Sequence, residues 1–233
     1  MNMLIDRLSN LLSRYNPARL APAVLINEWA RRLPEKGIAS KELMICDGRH
    51  RLHEAISLGG FPVIGEIGVF KGDFAQFLKS KYRPSQLHLF DLFRQAQLMG
   101  SGDADGNNCE SCSGDFLFEN AMRMFGSDPS IVFHEGDSKV TLAEMPDDYF
   151  DLIYIDGDHS YKGCVSDLTN SFRKIKNQGW IAGHDFAVNY KKCRHRWHFG
   201  VRDAVTDFCR ENNQKISALF IDGCVSYAIR IQK

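Results

Sequence analysis

From Phe61 onward, short apolar runs alternate with stretches whose apolar positions recur every three or four residues. The first kind of period belongs to strands and the second to helices. The pattern predicts strands at Phe61–Val69, Gln86–Leu92, Ile131–Glu135, Phe150–Ile155 and Trp180–His184. Helices are expected at Asp73–Tyr82, Asp115–Phe125, Tyr161–Lys176 and Val201–Glu211, with Gly179 just past the third. Phe150–Ile155 is almost continuously apolar, as a strand covered on both faces should be. Two further strands, Ala218–Ile221 and Val225–Ile231, flank Asp222-Gly223, a hairpin signal. Repeated strand–helix units ending in a hairpin predict an α/β fold. The expected form is a Rossmann-like, seven-stranded, mostly parallel sheet with an antiparallel C-terminal hairpin.

Residues 1–60 have a different character. Leu4, Leu8, Leu11 and Leu12 fall at helical spacing, Val24–Leu33 reads as a second helix, and Arg51–Leu58 as a short third. We therefore expect a helical N-terminal extension over 1–60 and a main domain over 61–233. The longest stretch without a periodic pattern is 99–114, rich in Gly, Asp, Asn and Ser. Long loops of this kind are usually functional or mobile.

At 233 residues the chain can bury a full core without staples. Lys+Arg and Asp+Glu are both 29, so no basic excess points to nucleic acid. No run approaches the roughly 20 apolar residues that span a bilayer. Seven scattered cysteines without a secretory signal point to a reduced, cytoplasmic protein. Nothing in these patterns fixes an oligomeric state, which leaves room for a homo-oligomer.

Candidate chemistry collects where strands end. Gly65-Glu66-Ile67-Gly68-Val69-Phe70-Lys71-Gly72 leaves the first strand and opens a helix. Gly68 suits a tight turn against a ligand and Gly72 suits close packing of helix and strand. The order is acid-x-Gly-x-x-x-Gly rather than the dinucleotide G-x-G-x-x-G, and a carboxylate at Glu66 fits a cationic amino-acid group better than a pyrophosphate. Asp91 ends the next strand, where an acid can take both hydroxyls of a ribose or serve as a loop cap. Asp137 of Gly136-Asp137-Ser138 is either an adenine contact or a helix N-cap. Asp156-Gly157-Asp158-His159-Ser160-Tyr161 ends the most apolar strand, and two acids with a histidine exceed what a turn needs. Gly183-His184-Asp185-Phe186 ends the strand beside it. Neighbouring strands lie about 5 Å apart, so Asp156 and Asp185 can meet on one divalent ion.

Together these segments, with Gly200-Val201 leading a helix, resemble the class I S-adenosylmethionine (SAM) dependent methyltransferases, and within them the group of macrocin and mycinamicin sugar O-methyltransferases. The resemblance covers roughly residues 60–232. It implies SAM lying across the strand ends, with Glu66, Gly68 and Gly72 around the methionine part, Asp91 at the ribose and Asp137 or Ser138 at the adenine. Asp156 and Asp185 match metal ligands, Asp156 also bordering the cofactor. His184 stands where an acidic ligand is expected, so the metal set becomes Asp156, Asp185 and His184, with magnesium the first candidate ion. His159 matches the catalytic base. The implied acceptor is a small molecule carrying a sugar. The competing readings are a metal-free methyltransferase, a nicotinamide-dependent oxidoreductase on the same fold, and a non-catalytic SAM-binding interaction module.

Three segments stay open. Tyr190–His198 holds Lys191, Lys192, Arg194, His195, Arg196 and His198, either a lid over the acceptor or a solvated basic loop. Cys109 and Cys112, with Cys193, His195 and His198, could assemble a zinc site, though free thiols are the default. Arg49, His50 and Arg51 either touch substrate or are surface charge.

Overall fold

The computed structural model describes residues 30–95, 114–186, 200–221 and 224–233. The first helix over Leu4–Leu12, most of Val24–Leu33, nearly all of the 99–114 loop with Cys109 and Cys112, the basic loop and the Asp222-Gly223 turn lie outside these residues.

The described chain runs β1 (Ala39–Cys46), a 3-10 turn (Arg49–Arg51), α1 (Leu52–Ala55), β2 (Val63–Ile67), α2 (Asp73–Tyr82), β3 (Gln86–Asp91) and α3 (Gly114–Phe125). It continues through β4 (Ile131–Glu135), α4 (Ser138–Thr141), β5 (Phe150–Ile155), α5 (Tyr161–Lys174), β6 (Ile175–Gly183), α6 (Val201–Glu211), β7 (Ile216–Phe220) and β8 (Ser226–Arg230). All eight strands join one sheet in the order β1-β7-β8-β6-β5-β2-β3-β4. Every pairing is parallel except those of β8 with β6 and β7. The expected mostly parallel sheet with its antiparallel C-terminal hairpin is present.

Two expectations need correcting. The sheet has eight strands rather than seven, because Ala39–Cys46, inside the segment read as helical, pairs with β7 at the sheet edge. Its middle carries Lys41 and Glu42, both exposed. Charge on an edge strand blunts edge-to-edge association and also erases the apolar alternation that reveals a strand. The second correction concerns Gly179, which lies inside β6 rather than after a helix. Helix α5 stops at Lys174 and β6 starts at once, and its register with β5 shifts between Phe150/Ile175 and Leu152/Trp180. Gln178 takes φ 65° in that irregular stretch.

Alternation along β5 shows how the sheet is covered on both faces. Leu152 and Tyr154 point to the layer containing Leu52, Ile56, Ala75, Leu78, Ala121 and Phe125 from α1, α2, α3 and their flanks. Ile153 and Ile155 point to Cys164, Leu168, Val205 and Phe208 from α5 and α6. All six residues of β5 except Asp151 are buried. Asp151 accepts from the Val63 amide at 2.8 Å and from the Lys176 ammonium at 2.8 Å, tying β5 to the start of β2 and to β6. With both faces covered, the carboxyl ends of the parallel strands are where ligands can enter an open α/β sheet.

Candidate functional site

At the end of β2 the chain must turn while pressed against β5. The Gly68 amide donates to the Phe90 carbonyl at 2.8 Å, and the Asp156 amide donates to the Ile67 carbonyl at 2.7 Å. Gly68 adopts φ +85°, and a Cβ built there would lie 2.2 Å from the Asp156 carbonyl oxygen. Only glycine permits that approach. Gly72, also at φ +85°, starts α2 against the ring of Phe125.

Asp91 fastens this loop from the end of β3. Its Oδ2 accepts from the amides of Val69 at 2.7 Å and Phe70 at 3.1 Å, and its Oδ1 accepts from Phe93 at 2.9 Å. A carboxylate oxygen accepts two hydrogen bonds, so Oδ2 is filled by the loop and Oδ1 has taken one. Asp137 turns out to be the N-cap of α4, accepting from the Lys139 amide at 2.9 Å. Ser138 donates to Asp167 Oδ1 at 2.6 Å.

Asp167 escaped the sequence reading. It sits on α5 and is 2% exposed, and burial lifts its carboxyl to about 6, against the hydrogen bond from Ser138. The signal was in the helical stripe Cys164, Asp167, Leu168, Ser171, in which the acid shares the buried face.

The strongest sequence candidates converge at the ends of β5 and β6. Asp156, His184 and Asp185 each present a ligand atom, all within 4.8 Å of one another. His184 Nδ1 lies 3.4 Å from Asp185 Oδ2 and 3.7 Å from Asp156 Oδ1. His159 joins them, with Nε2 2.9 Å from Asp185 Oδ2 and 3.4 Å from Asp156 Oδ1. The His184 amide donates to the Ile155 carbonyl at 3.1 Å, which keeps the two strand ends together. Asp158 and Ser160 have other duties. Asp158 accepts from the Ser160 amide at 2.9 Å, and Ser160 caps α5 through Gly163 at 3.0 Å. The Gly200 amide donates to the His159 carbonyl at 2.7 Å, so the start of α6 braces the loop.

The charges explain one another. Burial opposes protonation of His159, but hydrogen bonds to Asp156 and Asp185 outweigh it and raise the imidazole to about 9. Burial likewise works against Asp185, yet His159 and His184 hold it well below the usual carboxylate range. Glu66 is 1% exposed on β2, and its Oε2 has no hydrogen-bond partner among the described residues. Burial, then Asp156 and Asp91, push its carboxyl well above the usual range, and Arg49 counteracts them.

Arg49, left open in the sequence between substrate contact and surface charge, reaches the acid cluster. Its Nη1 donates to Asp156 Oδ2 at 3.2 Å, and its guanidinium lies 5.0 Å from the centre of the Phe74 ring. Phe74 in turn packs on Tyr154 at 4.0 Å between centroids. Arg51, by contrast, forms an exposed pair with Glu54 three residues on. No local pattern distinguishes the two arginines, since the contact that matters spans 107 positions.

Comparison with known proteins bears on the family and the fold. A family model described as a methyltransferase domain matches residues 66–186, more than half of the chain. The fold is similar to that of the N-methyltransferase NodS from Bradyrhizobium japonicum WM9, solved with S-adenosyl-L-homocysteine (TM-score 0.56, 15% identity, 79% of this chain and 86% of that one). It is also similar to the O-methyltransferase NovP (TM-score 0.53, 19% identity, 74% and 72%). A third likeness is the S-adenosylhomocysteine-bound methyltransferase PaMTH1 of Podospora anserina (TM-score 0.51, 15% identity, 74% and 72%). At these identities the likenesses concern the fold. No curated protein sequence gives a significant match. Among the described residues, no helix is long and apolar enough to cross a membrane.

Proposed function

This chain belongs to the methyltransferase-domain family, and from that premise we propose that it transfers a methyl group from SAM to a hydroxyl oxygen of a sugar or a glycosylated small molecule, assisted by a divalent cation. The observation that carries the reading is the meeting of Asp156, His159, His184 and Asp185 beside the Gly68 turn.

The donor half of the site suits SAM. A buried acid oxygen without a partner is costly unless a ligand completes it. Glu66 Oε2 is such an atom, and the ammonium of a methionyl group would supply its partner. Asp91, already anchoring the Gly68 loop, keeps acceptor capacity at Oδ1 for a ribose hydroxyl. Near β4, Ser138 and the Asp137 turn would border the adenine.

The acceptor half must ionise an alcohol whose pKa lies far above neutrality. Asp156, Asp185 and His184 form a donor set of two carboxylates and an imidazole, which fits a divalent ion, magnesium first, while the imidazole also admits softer metals. A cation bound there would stabilise an alkoxide. His159 is the group that receives the proton. Hydrogen bonds to the two carboxylates raise its pKa to about 9 against burial. A cation held by Asp156 and Asp185 would offset their negative charge and leave His159 able to accept a proton.

The test is methyl transfer from isotopically labelled SAM to a panel of sugars, glycosides and catechols, with products identified by mass spectrometry. Formation of a methyl ether that EDTA abolishes and Mg²⁺ or Mn²⁺ restores is the expected result. Transfer that ignores EDTA removes the cation from the scheme, and transfer only to nitrogen removes the hydroxyl acceptor.

A further inference from the structure

We propose that Arg49 is a positioning residue for Asp156: anchored by Tyr154 and Phe74, it occupies Oδ2 of that carboxylate, leaves Oδ1 to the acid cluster, and so biases the site toward Mg²⁺ over Ca²⁺. The inference rests on the reading of a divalent cation at this cluster and adds what sets its choice of ion.

Asp156 divides its two oxygens. Oδ1 faces His159 Nε2 at 3.4 Å and His184 Nδ1 at 3.7 Å. Oδ2 accepts from Arg49 Nη1 at 3.2 Å. Asp156, His184 and Asp185 each bring one ligand atom to within 4.8 Å of the others. A carboxylate whose second oxygen is taken by a guanidinium is set to give a metal one oxygen instead of two.

Arg49 is itself held. Its guanidinium lies 5.0 Å from the centre of the Phe74 ring, an arrangement that aromatic faces favour. The Tyr154 side chain hydrogen-bonds it as well. A guanidinium only donates, so the phenol oxygen accepts and its own hydrogen is left for Ser226 Oγ, 3.3 Å away at the start of β8. Tyr154 is wholly buried in β5, and its ring packs on Phe74 at 4.0 Å between centroids. It pairs with Glu66 of β2 on one side and Ala182 of β6 on the other. Asp156 follows Tyr154 by two residues, so one strand carries both the carboxylate and the anchor of the cation that holds it. Turning Asp156 to offer both oxygens would break its bond to a guanidinium that the sheet keeps in place.

The two common hard cations respond differently to such a carboxylate. Mg²⁺ demands near-ideal octahedral geometry at about 2.0–2.1 Å, whereas Ca²⁺ takes 6–8 oxygens at about 2.3–2.6 Å and readily accepts bidentate carboxylates. The narrow bite of a bidentate carboxylate distorts an octahedron. Pinning Oδ2 therefore costs Ca²⁺ more than Mg²⁺. The positive charge of Arg49 opposes both ions equally, so charge lowers affinity without choosing between them. The ratio of the two affinities isolates the pinning.

The experiment is displacement of Mn²⁺ from the full chain by Mg²⁺ and by Ca²⁺, followed through the electron paramagnetic resonance of the released Mn²⁺. Arg49→Ala should raise the affinity for Ca²⁺ relative to Mg²⁺ about tenfold or more, since partners that orient metal ligands are worth about 10- to 100-fold in affinity. Arg49→Lys keeps the charge without the planar fork and should fall between wild type and Arg49→Ala. Tyr154→Phe leaves the charge untouched, removes the anchor, and should shift the ratio in the same direction by less. Affinities for the two ions that change together in Arg49→Ala, leaving the ratio as in wild type, overturn the proposal. Should Arg49→Ala not fold, an unmoved ratio in Tyr154→Phe overturns it equally. A wild-type chain that binds none of the three ions ends the cation reading and this inference with it, an outcome distinct from normal binding with an unmoved ratio.

Discussion

Replacing Gly68 with alanine tests whether the strand ends are held as closely as the geometry requires. The new Cβ would sit 2.2 Å from the Asp156 carbonyl oxygen, 2.5 Å from its carbon and 2.8 Å from the Gly157 nitrogen. Ordinary contact begins at 3.4 Å, so backbone must move by more than 1 Å. No flexible side chain is available to yield. The left-handed φ of +85° costs an alanine about 1–2 kcal/mol, and forcing backbone apart in a packed region adds about 1–3 kcal/mol. The sum, about 2–5 kcal/mol, is a large part of the 5–15 kcal/mol that typically stabilises a domain. Gly72→Ala is the internal control. It has the same φ, but its Cβ meets the Phe125 ring at 3.0 Å, a side chain that can shift, so only the cost of about 1–2 kcal/mol for the left-handed backbone is expected. Urea denaturation of the three proteins reads the difference, and with a slope of about 2 kcal/mol per molar Gly68→Ala should move the midpoint down by about 1–2.5 M. S-adenosylhomocysteine binding to the folded fraction should fall at least about tenfold, because the Gly68 turn proposed to border the donor is itself displaced. Equal midpoints for Gly68→Ala and Gly72→Ala would refute the close approach of β2 and β5 as the source of the glycine requirement.

Three further outcomes follow from the site. Asp167 binds its proton more tightly folded than unfolded, so stability should decline as pH rises from about 4 to about 6 and level off above; the interval from 3.8 to about 6 is worth about 3 kcal/mol. Asp167→Asn should flatten that decline in a urea series across pH, and an unchanged slope would count against the buried acid. His159→Ala should keep S-adenosylhomocysteine affinity within about twofold and lower kcat about 10²- to 10⁴-fold; full turnover in the variant removes His159 as proton acceptor. Asp156→Ala should also abolish turnover while retaining donor binding; full activity in the variant, or activity that still responds to EDTA as the wild type does, removes Asp156 from that role.

The sheet was legible because its signals are local. Buried strands such as Phe150–Ile155 announce themselves by continuous apolar residues, and Asp156, His159, His184 and Asp185 follow two of them directly. Once neighbouring strands are assigned, convergence of their ends is a matter of spacing. What the sequence hid has three physical causes. Ala39–Cys46 pairs on one side only, so it can carry charges mid-strand and shows no period. The contact of Arg49 with Asp156 is tertiary, and nothing near it in sequence separates it from Arg51, which pairs with Glu54. Asp91 and Asp137 were correctly placed at strand ends, yet which partner a carboxylate takes, backbone or ligand, depends on loop geometry that residue identity does not encode. In both, the backbone takes part of the carboxylate.

The edge strand has a kinetic implication. Its register with β7 and the bond from the Lys215 ammonium to the Gly37 carbonyl, 178 positions apart, join regions far separated in sequence. Contacts of such long range form slowly, since a large loop must close before they repay its entropy. β1 can take its place at the sheet edge only once β7, far along the chain from it, has been delivered, so closure of this edge would belong to the late events of folding.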